Sequence, residues 1–344
     1  MKLTTGKKAK MIAALLVTAV AIAAAVSVSL SKRGTGDLVV YTADAYVKET
    51  AMLLQGFHKQ TGVPVAPPRG GGSYADAREI GGGAPADILI SVALNAYDRN
   101  YLAERYSGWA IAFASDQMVI AYSNATLNNS RAADVVNALQ TAASSNSSNL
   151  FQNAFSELTS GEVKIGISNP ESDPAGLRAY LLLYIAGYLY AGNTTYFAQR
   201  ANASGSIVSS PSAAELVSPL EFGSIQFLFI YKSAAISDHL KYIQLPAELS
   251  QGDPALASFY SMFTYSLPGG TVRGSPIFLY VSVMGNISLT GEAYSFLSYL
   301  LNNTGMLSSF GLLPLATPLL FANYTNSRIM ALLGQGRIAE GGTL

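Results

Sequence analysis

From Leu38 onward, short apolar runs alternate with amphipathic stretches, and this alternation limits the chain to few architectures. LVVYT (38–42) reads as a buried strand, and YVKETAMLLQGFHKQ (46–60) as a helix with Val47, Met52, Leu53 and Phe57 towards the core. VPVAP, a glycine-rich turn, a short helix from Tyr74 and ADILISV then complete a strand–helix–strand–helix–strand sequence. Parallel strands need crossover helices and are covered by them on both faces, so the pattern predicts an α/β fold with a mostly parallel sheet. WAIAFASDQMVIAYS (109–123) is two apolar runs broken at Ser115–Asp116, and GSPIFLYVSVM (274–284) has the same character. Read as crossings, these segments place one lobe at 34–119 and 271–344 and a second lobe at 120–270, with a ligand cleft between them. The second lobe would hold VKIGISN (163–169), a helix from Gly176, a helix over 213–222, FLFIYKSAA (227–235) and KYIQLP (241–246). The C-terminal part reads as a helix, an Asn/Gly break, a second short helix and an apolar tail folding back onto the first lobe.

Residues 11–31 are uncharged and lie between KLTTGKKAK and Lys32–Arg33. As a helix they span roughly 30 Å, one hydrocarbon core, and the basic start keeps that end inside. Residues 1–33 are therefore expected to be an uncleaved membrane anchor or a signal peptide, the small residues around Ala25 and Ser27 admitting a peptidase. Both readings export residues 34–344 to the extracellular face of the membrane. Six of the 21 basic residues flank the tract, which leaves 15 basic against 21 acidic side chains beyond it. An exported part with an acidic surplus and no basic patch has no electrostatic footing for nucleic acid. Eight sequons, at Asn124, Asn128, Asn146, Asn193, Asn202, Asn286, Asn302 and Asn323, fit a glycosylated surface. Zero cysteines and two histidines, His58 and His239, exclude disulfides, thiolate chemistry and multi-histidine metal centres. His58 falls near the end of the first helix, a position for a solvated or helix-capping role.

Three segments carry candidate chemistry. RGGGSYADAREI (69–80) sets three glycines and Ser73 before a helix, where successive N–H groups can form an oxyanion nest or simply a turn. In SNPESDPAGLRAYLLL, Asp173 fits an N-cap and Pro174 the first helical position, with Arg178 one turn further on. Asp173 can spend its carboxylate on backbone N–H groups or present it at a strand-to-helix junction, where open sheets bind ligands. Ser212 with Glu215 fits a capping box, and Tyr231 ends the apolar strand FLFIY, where its hydroxyl needs a partner.

Taken together, LVVYTADA, GGGSYADAREI, ADILISV, MVIAY, DPAGLR before a helix, YKSAA and LKYIQLP resemble the archaeal tungstate/molybdate-binding proteins of ABC importers, over about residues 37–320. The resemblance implies a two-lobed, type II periplasmic-binding-protein-like fold without catalytic activity. It implies a monomeric receptor that takes a small oxyanion, tungstate or molybdate, to an ABC permease without a cofactor. It places the carboxylate that reaches the tungsten or molybdenum atom on Asp173, the second-lobe tyrosine on Tyr231 and the second-loop serine on Ser73. Where relatives carry Gly-Ser after the first strand, this chain has Asp44–Ala45, which leaves the Ala45 N–H as donor. Where they carry a glutamate, it has Ala213, with Glu215 two residues away as the substitute. These departures keep open a receptor of the same fold for another oxyanion or an organic anion. A structural cell-surface glycoprotein is a further alternative. A hydrolase is disfavoured, because no GxSxG elbow occurs and no serine has an identified base.

Overall fold

Four-residue runs buried at every position seed the first sheet, and a computed structural model describes the chain at residues 36–268 and 270–344. The expected anchor or signal segment, 1–33, lies outside the described residues. In chain order the strands are β1 (Val40–Ala43), β2 (Arg69–Gly71), β3 (Ile88–Ser91), β4 (Trp109–Asp116), β5 (Met118–Tyr122), β6 (Ile165–Gly166) and β7 (Ile207–Val208). They continue with β8 (Phe227–Tyr231), β9 (Lys241–Ile243), β10 (Thr264–Leu267), β11 (Gly270–Arg273), β12 (Ile277–Val283), β13 (Leu313–Ala322) and β14 (Ala339–Gly342).

One sheet runs β14-β13-β4-β12-β3-β1-β2 and another β7-β6-β8-β5-β9, with β10 and β11 a separate hairpin. β1 is parallel to β2 and β3, Tyr41 standing opposite both Arg69 and Leu89, while β12 runs antiparallel between β3 and β4. In the other sheet β6 is parallel to β8 and β5 antiparallel to it, with Met118 opposite Tyr231. The chain passes between sheets at Gln117, the residue between β4 and β5, and returns by β11 into β12. The fold is thus α/β and two-lobed, of the type II periplasmic-binding-protein kind.

The helix Val47–Thr61 buries Leu53, Leu54 and Phe57 together with Glu49 and Thr50, whereas Val47 and Met52 are only half-buried. The buried stripe is therefore rotated from the apolar one, because Thr50 Oγ1 meets Thr42 Oγ1 of β1 at 3.0 Å. Phe57 packs edge-on against Phe296 of the helix Thr290–Asn302, at 5.4 Å between ring centroids. Gly62, at φ 74°, ends the first helix, its N–H donating to His58 O, and His58 Nδ1 lies 2.7 Å from Val63 O. VPVAP makes only an isolated bridge, Val65 to Leu38, and the strand is the glycine run itself. Pro64, Pro67 and Pro68 have no N–H to give a ladder. A Cβ on Gly70 would lie 2.5 Å from Val47 Cγ2, so glycine lets β2 lie close under the start of the helix Val47–Thr61.

The 227–235 run also divides: β8 stops at Tyr231 and Lys232–Ser237 is helical. The 213–222 segment is a 3-10 turn, Ala214–Leu216, followed by the helix Val217–Glu221. The C-terminal tail is a full strand, β13, beside β4, followed by the helix Ser327–Gly334 and β14. Among the described residues no helix is long and apolar enough to cross a membrane.

Candidate functional site

The ends of β1 and β8 and the start of the helix Pro174–Ala191 meet around a cavity of about 190 Å³. Asp44, Ala45, Val47 and Lys48 line it from the first lobe, and Asp173, Ala175, Ala213 and Tyr231 from the second. Two long helices, Val47–Thr61 and Pro174–Ala191, begin at this cavity, so the positive ends of both helix dipoles face it. No side chain caps the first of them.

Tyr231 supplies the unusual feature. Its side chain is 2% exposed and its hydroxyl has no hydrogen-bond partner, although its ring lies 6.0 Å from that of Tyr46. Burial, with the negative charges of Asp173, Asp116 and Asp44, pushes the hydroxyl well above its ordinary pKa and keeps it a neutral donor. A buried, unpaired hydroxyl costs free energy that a ligand oxygen can recover.

Asp173 is both a helix cap and a bridge to a second segment. Oδ1 accepts from Ala175 N at 2.9 Å and Oδ2 from Ala213 N at 2.8 Å. Burial raises its pKa against those hydrogen bonds. Pro174 at the first helical position and Gly176, whose Cβ would stand 2.0 Å from Ser168 O, allow the helix to start tight against the strand end.

Asp44 Oδ1 accepts from Ala45 N at 2.8 Å, so the Ala45 N–H is engaged by its neighbour and is not free for a ligand. Burial first, then Asp173 and more weakly Glu215, raise the Asp44 carboxyl to about 6. Lys48 is ion-paired with Asp238 at 3.0 Å and also donates to Ser237 O.

Glu215 and Ser73 lie outside the cavity wall. Glu215 is exposed and accepts from the Ser210 hydroxyl. The expected Ser212–Glu215 capping box is not formed, because Ala213 and not Ser212 stands at the start of the turn and Glu215 is turned to Ser210. Ser73 begins the helix Ser73–Gly81 but is fully buried, its Oγ accepting from Val92 N at 3.4 Å. The glycine run holds an acid of its own: Asp76 Oδ1 would be 2.1 Å from a Cβ on Gly71, and burial raises this carboxyl to about 8.

The structure thus brings Ala45, Asp173 and Tyr231 to one cavity and leaves Ser73 and Glu215 behind its wall. Sequence reasoning missed Tyr46 and Asp116. Tyr46 Oη donates to Asp116 Oδ2 at 2.9 Å beside Tyr231, and the only sequence sign was an aspartate inside an apolar run. Among the described residues no group of three or more metal-ligating side chains occurs.

Comparison with known proteins places this geometry in context. A family model described as bacterial extracellular solute-binding protein matches residues 38–311. A solute-binding protein of Sulfurisphaera tokodaii is 39% identical over 327 residues, covering 91% of this chain and 85% of its own length. A molybdate/tungstate-binding protein of Pyrococcus abyssi is 26% identical over 300 residues, covering 79% of this chain and 82% of its own. Among solved structures, the sulfate-binding protein of Mycobacterium tuberculosis superposes with a TM-score of 0.57 at 14% identity, over 90% of this chain and 94% of that one.

Proposed function

Since the chain belongs to the bacterial extracellular solute-binding protein family, we propose that it captures tungstate or molybdate and delivers it to an ABC permease. A member of this family is a binding receptor and not a catalyst, and its partner is the permease. The observation that carries the oxyanion reading is the buried, unpartnered Tyr231 hydroxyl in a cavity faced by two helix N-termini. The name of the Pyrococcus relative supports tungstate and molybdate over other anions. In this reading the lobes at 34–119 with 271–344 and at 120–270 close on the ligand, and Tyr231 donates to an oxo oxygen. Asp173 turns a carboxylate oxygen to the tungsten or molybdenum atom, because a carboxylate beside a dianion is repelled unless it coordinates the metal atom directly. The N-terminal segment holds the receptor at the outer face of the membrane. A second reading, another oxyanion such as sulfate, rests on Ala213 and Asp44, which alter the charge of the cavity, and on the sulfate-binding neighbour.

Calorimetric titration of the exported chain with tungstate, molybdate, sulfate and phosphate is the test. A strong preference for the first two is expected; binding of none, or preference for sulfate, overturns the reading. Asp173→Asn should weaken tungstate by more than about tenfold, over 1.4 kcal/mol. The amide has one acceptor oxygen for the two N–H groups of Ala175 and Ala213, so unfolding free energy should also drop by about 1 kcal/mol. Unchanged affinity with that same loss of stability would return Asp173 to a purely structural role.

A further inference from the structure

A second cavity, of about 480 Å³, opens on the other side of the Pro174–Ala191 helix start, between Tyr74 and Ala93 of the first lobe and the Ser275–Phe278 segment. Pro174, Leu177 and Arg178 face it at helical spacing, where positions i, i+3 and i+4 share one side. The geometry points to a ligand site here for an organic monocarboxylate with an apolar body.

Arg178 carries the inference. It is 7% exposed, and its Nη1 and Nη2 donate to the carbonyl and the hydroxyl of Ser275. Among the described residues no carboxylate pairs with it. Asp173 commits its two oxygens to the N–H groups of Ala175 and Ala213. A buried cation without a counter-charge is costly, and a guanidinium has five N–H donors, of which two are placed. Arg273, exposed at the rim, adds a second positive charge; it donates to Ser261 O and, among the described residues, forms no ion pair.

The rest of the wall selects among anions. Leu177, Val272, Phe278 and Phe321 present apolar surface. A hydrated inorganic dianion gains nothing there, whereas a carboxylate on an aromatic or branched body matches the guanidinium fork at one end and the apolar wall at the other.

The test is calorimetric titration of the exported chain with benzoate, with and without tungstate. One benzoate per chain is expected, with a dissociation constant below about 1 mM, and tungstate should not displace it. Arg178→Gln should weaken benzoate at least about tenfold. Ala257→Trp, which fills the cavity from an exposed rim position, should do the same without touching the Ser275 hydrogen bonds, and it decides the matter if Arg178→Gln fails to fold. The inference is overturned if benzoate does not bind at about 10 mM, if tungstate competes with it, or if a folded Ala257→Trp binds it unchanged. Tungstate binding by itself reports on the first cavity, so failure of one reading leaves the other measurable.

Discussion

Tungstate affinity is expected to fall as pH rises above 6, with a slope approaching tenfold per pH unit, and to be roughly 50-fold weaker at pH 8 than at pH 6. Asp44 is the cause. Its carboxyl lines the oxyanion cavity and is raised to about 6 by burial, then by Asp173 and Glu215. Asp76, behind the glycine run, is coupled to it with the same sign, and the charge of Lys48 is committed to Asp238. Among the described residues that line the cavity the basic side chain is thus already paired, and a dianion binds the form in which Asp44 is protonated. As pH climbs away from 6 the shrinkage of that fraction approaches tenfold per unit, and binding draws one proton from solution. Asp44→Asn should give a flat profile and, at pH 8, roughly 100-fold tighter binding than the parent, whose protonated fraction there is about 1%. The same group sets a stability trend. Its folded pKa lies above the unfolded value of 3.8, so the native chain holds more protons, and this contribution is present below that value and lost as pH rises through 6. Ligand-free Asp44→Asn should accordingly be more stable than the parent above pH 6, by on the order of 1–2 kcal/mol. Calorimetry at pH 6, 7 and 8 checks the binding arm. The same slope in Asp44→Asn would move the titrating proton to another group, and a flat parent profile would mean that Asp44 does not face the ligand.

What could be read from the sequence divides along the range of the forces involved. Asp173–Pro174 as cap and first helical residue, Gly62 after the first helix, and the buried runs of β1, β3, β5 and β8 are local signals: a cap, a left-handed stop, a hydrophobic period. They were legible because neighbouring residues alone decide them. Ser115–Asp116 was visible as a polar break between two apolar runs, and the structure has the chain pass between sheets at the adjoining Gln117. Where a distant segment decides, the reading drifted. Glu49 and Thr50 are buried because Ser237 and Thr42 come to meet them, Glu49 Oε1 accepting from the Ser237 hydroxyl at 3.2 Å. The strand shifted from VPVAP to the glycine run because the prolines lack N–H groups for a ladder and Gly70 fits close against Val47. Glu215 is no cap because the 3-10 turn starts one residue later than expected, with Ala213 fixed at its start by the distant Asp173 and Glu215 accepting from Ser210 instead. The orphaned Tyr231 hydroxyl is likewise a property of three-dimensional packing: the sequence could say that it needed a partner, but not that the protein provides none.

Asp116→Ala should lower the unfolding free energy by about 3–5 kcal/mol, whereas Asp116→Asn should cost no more than about 1.5 kcal/mol at pH 8. Asp116 stands where the chain passes from the first sheet to the second and is fully buried. Its oxygens accept from Gln117 N at 2.7 Å, Tyr46 Oη at 2.9 Å, Ser233 N at 3.3 Å and the Ser233 hydroxyl. Those donors come from the start of a first-lobe helix, from the crossing itself and from a second-lobe helix, so one carboxyl ties three segments together. Burial nevertheless outweighs all four bonds and raises its pKa to about 6. The ionised form accepts all four bonds, yet as pH rises through 6 it costs the fold stability that the neutral form did not. Alanine strands four donors, two of them hydroxyls beside the Tyr231 cavity, in a site closed to water. Asparagine keeps a carbonyl oxygen for the Gln117 and Ser233 N–H groups and offers its NH₂ to the Tyr46 and Ser233 hydroxyl oxygens, and it has no charge to desolvate. Urea unfolding of the three proteins at pH 5 and pH 8 separates these contributions. The gap between parent and Asp116→Asn should narrow at pH 8, where the parent carries the charge, while Asp116→Ala stays far below both. A loss under about 1 kcal/mol in Asp116→Ala would mean that the donors find other partners and that the crossing is not held by this carboxyl.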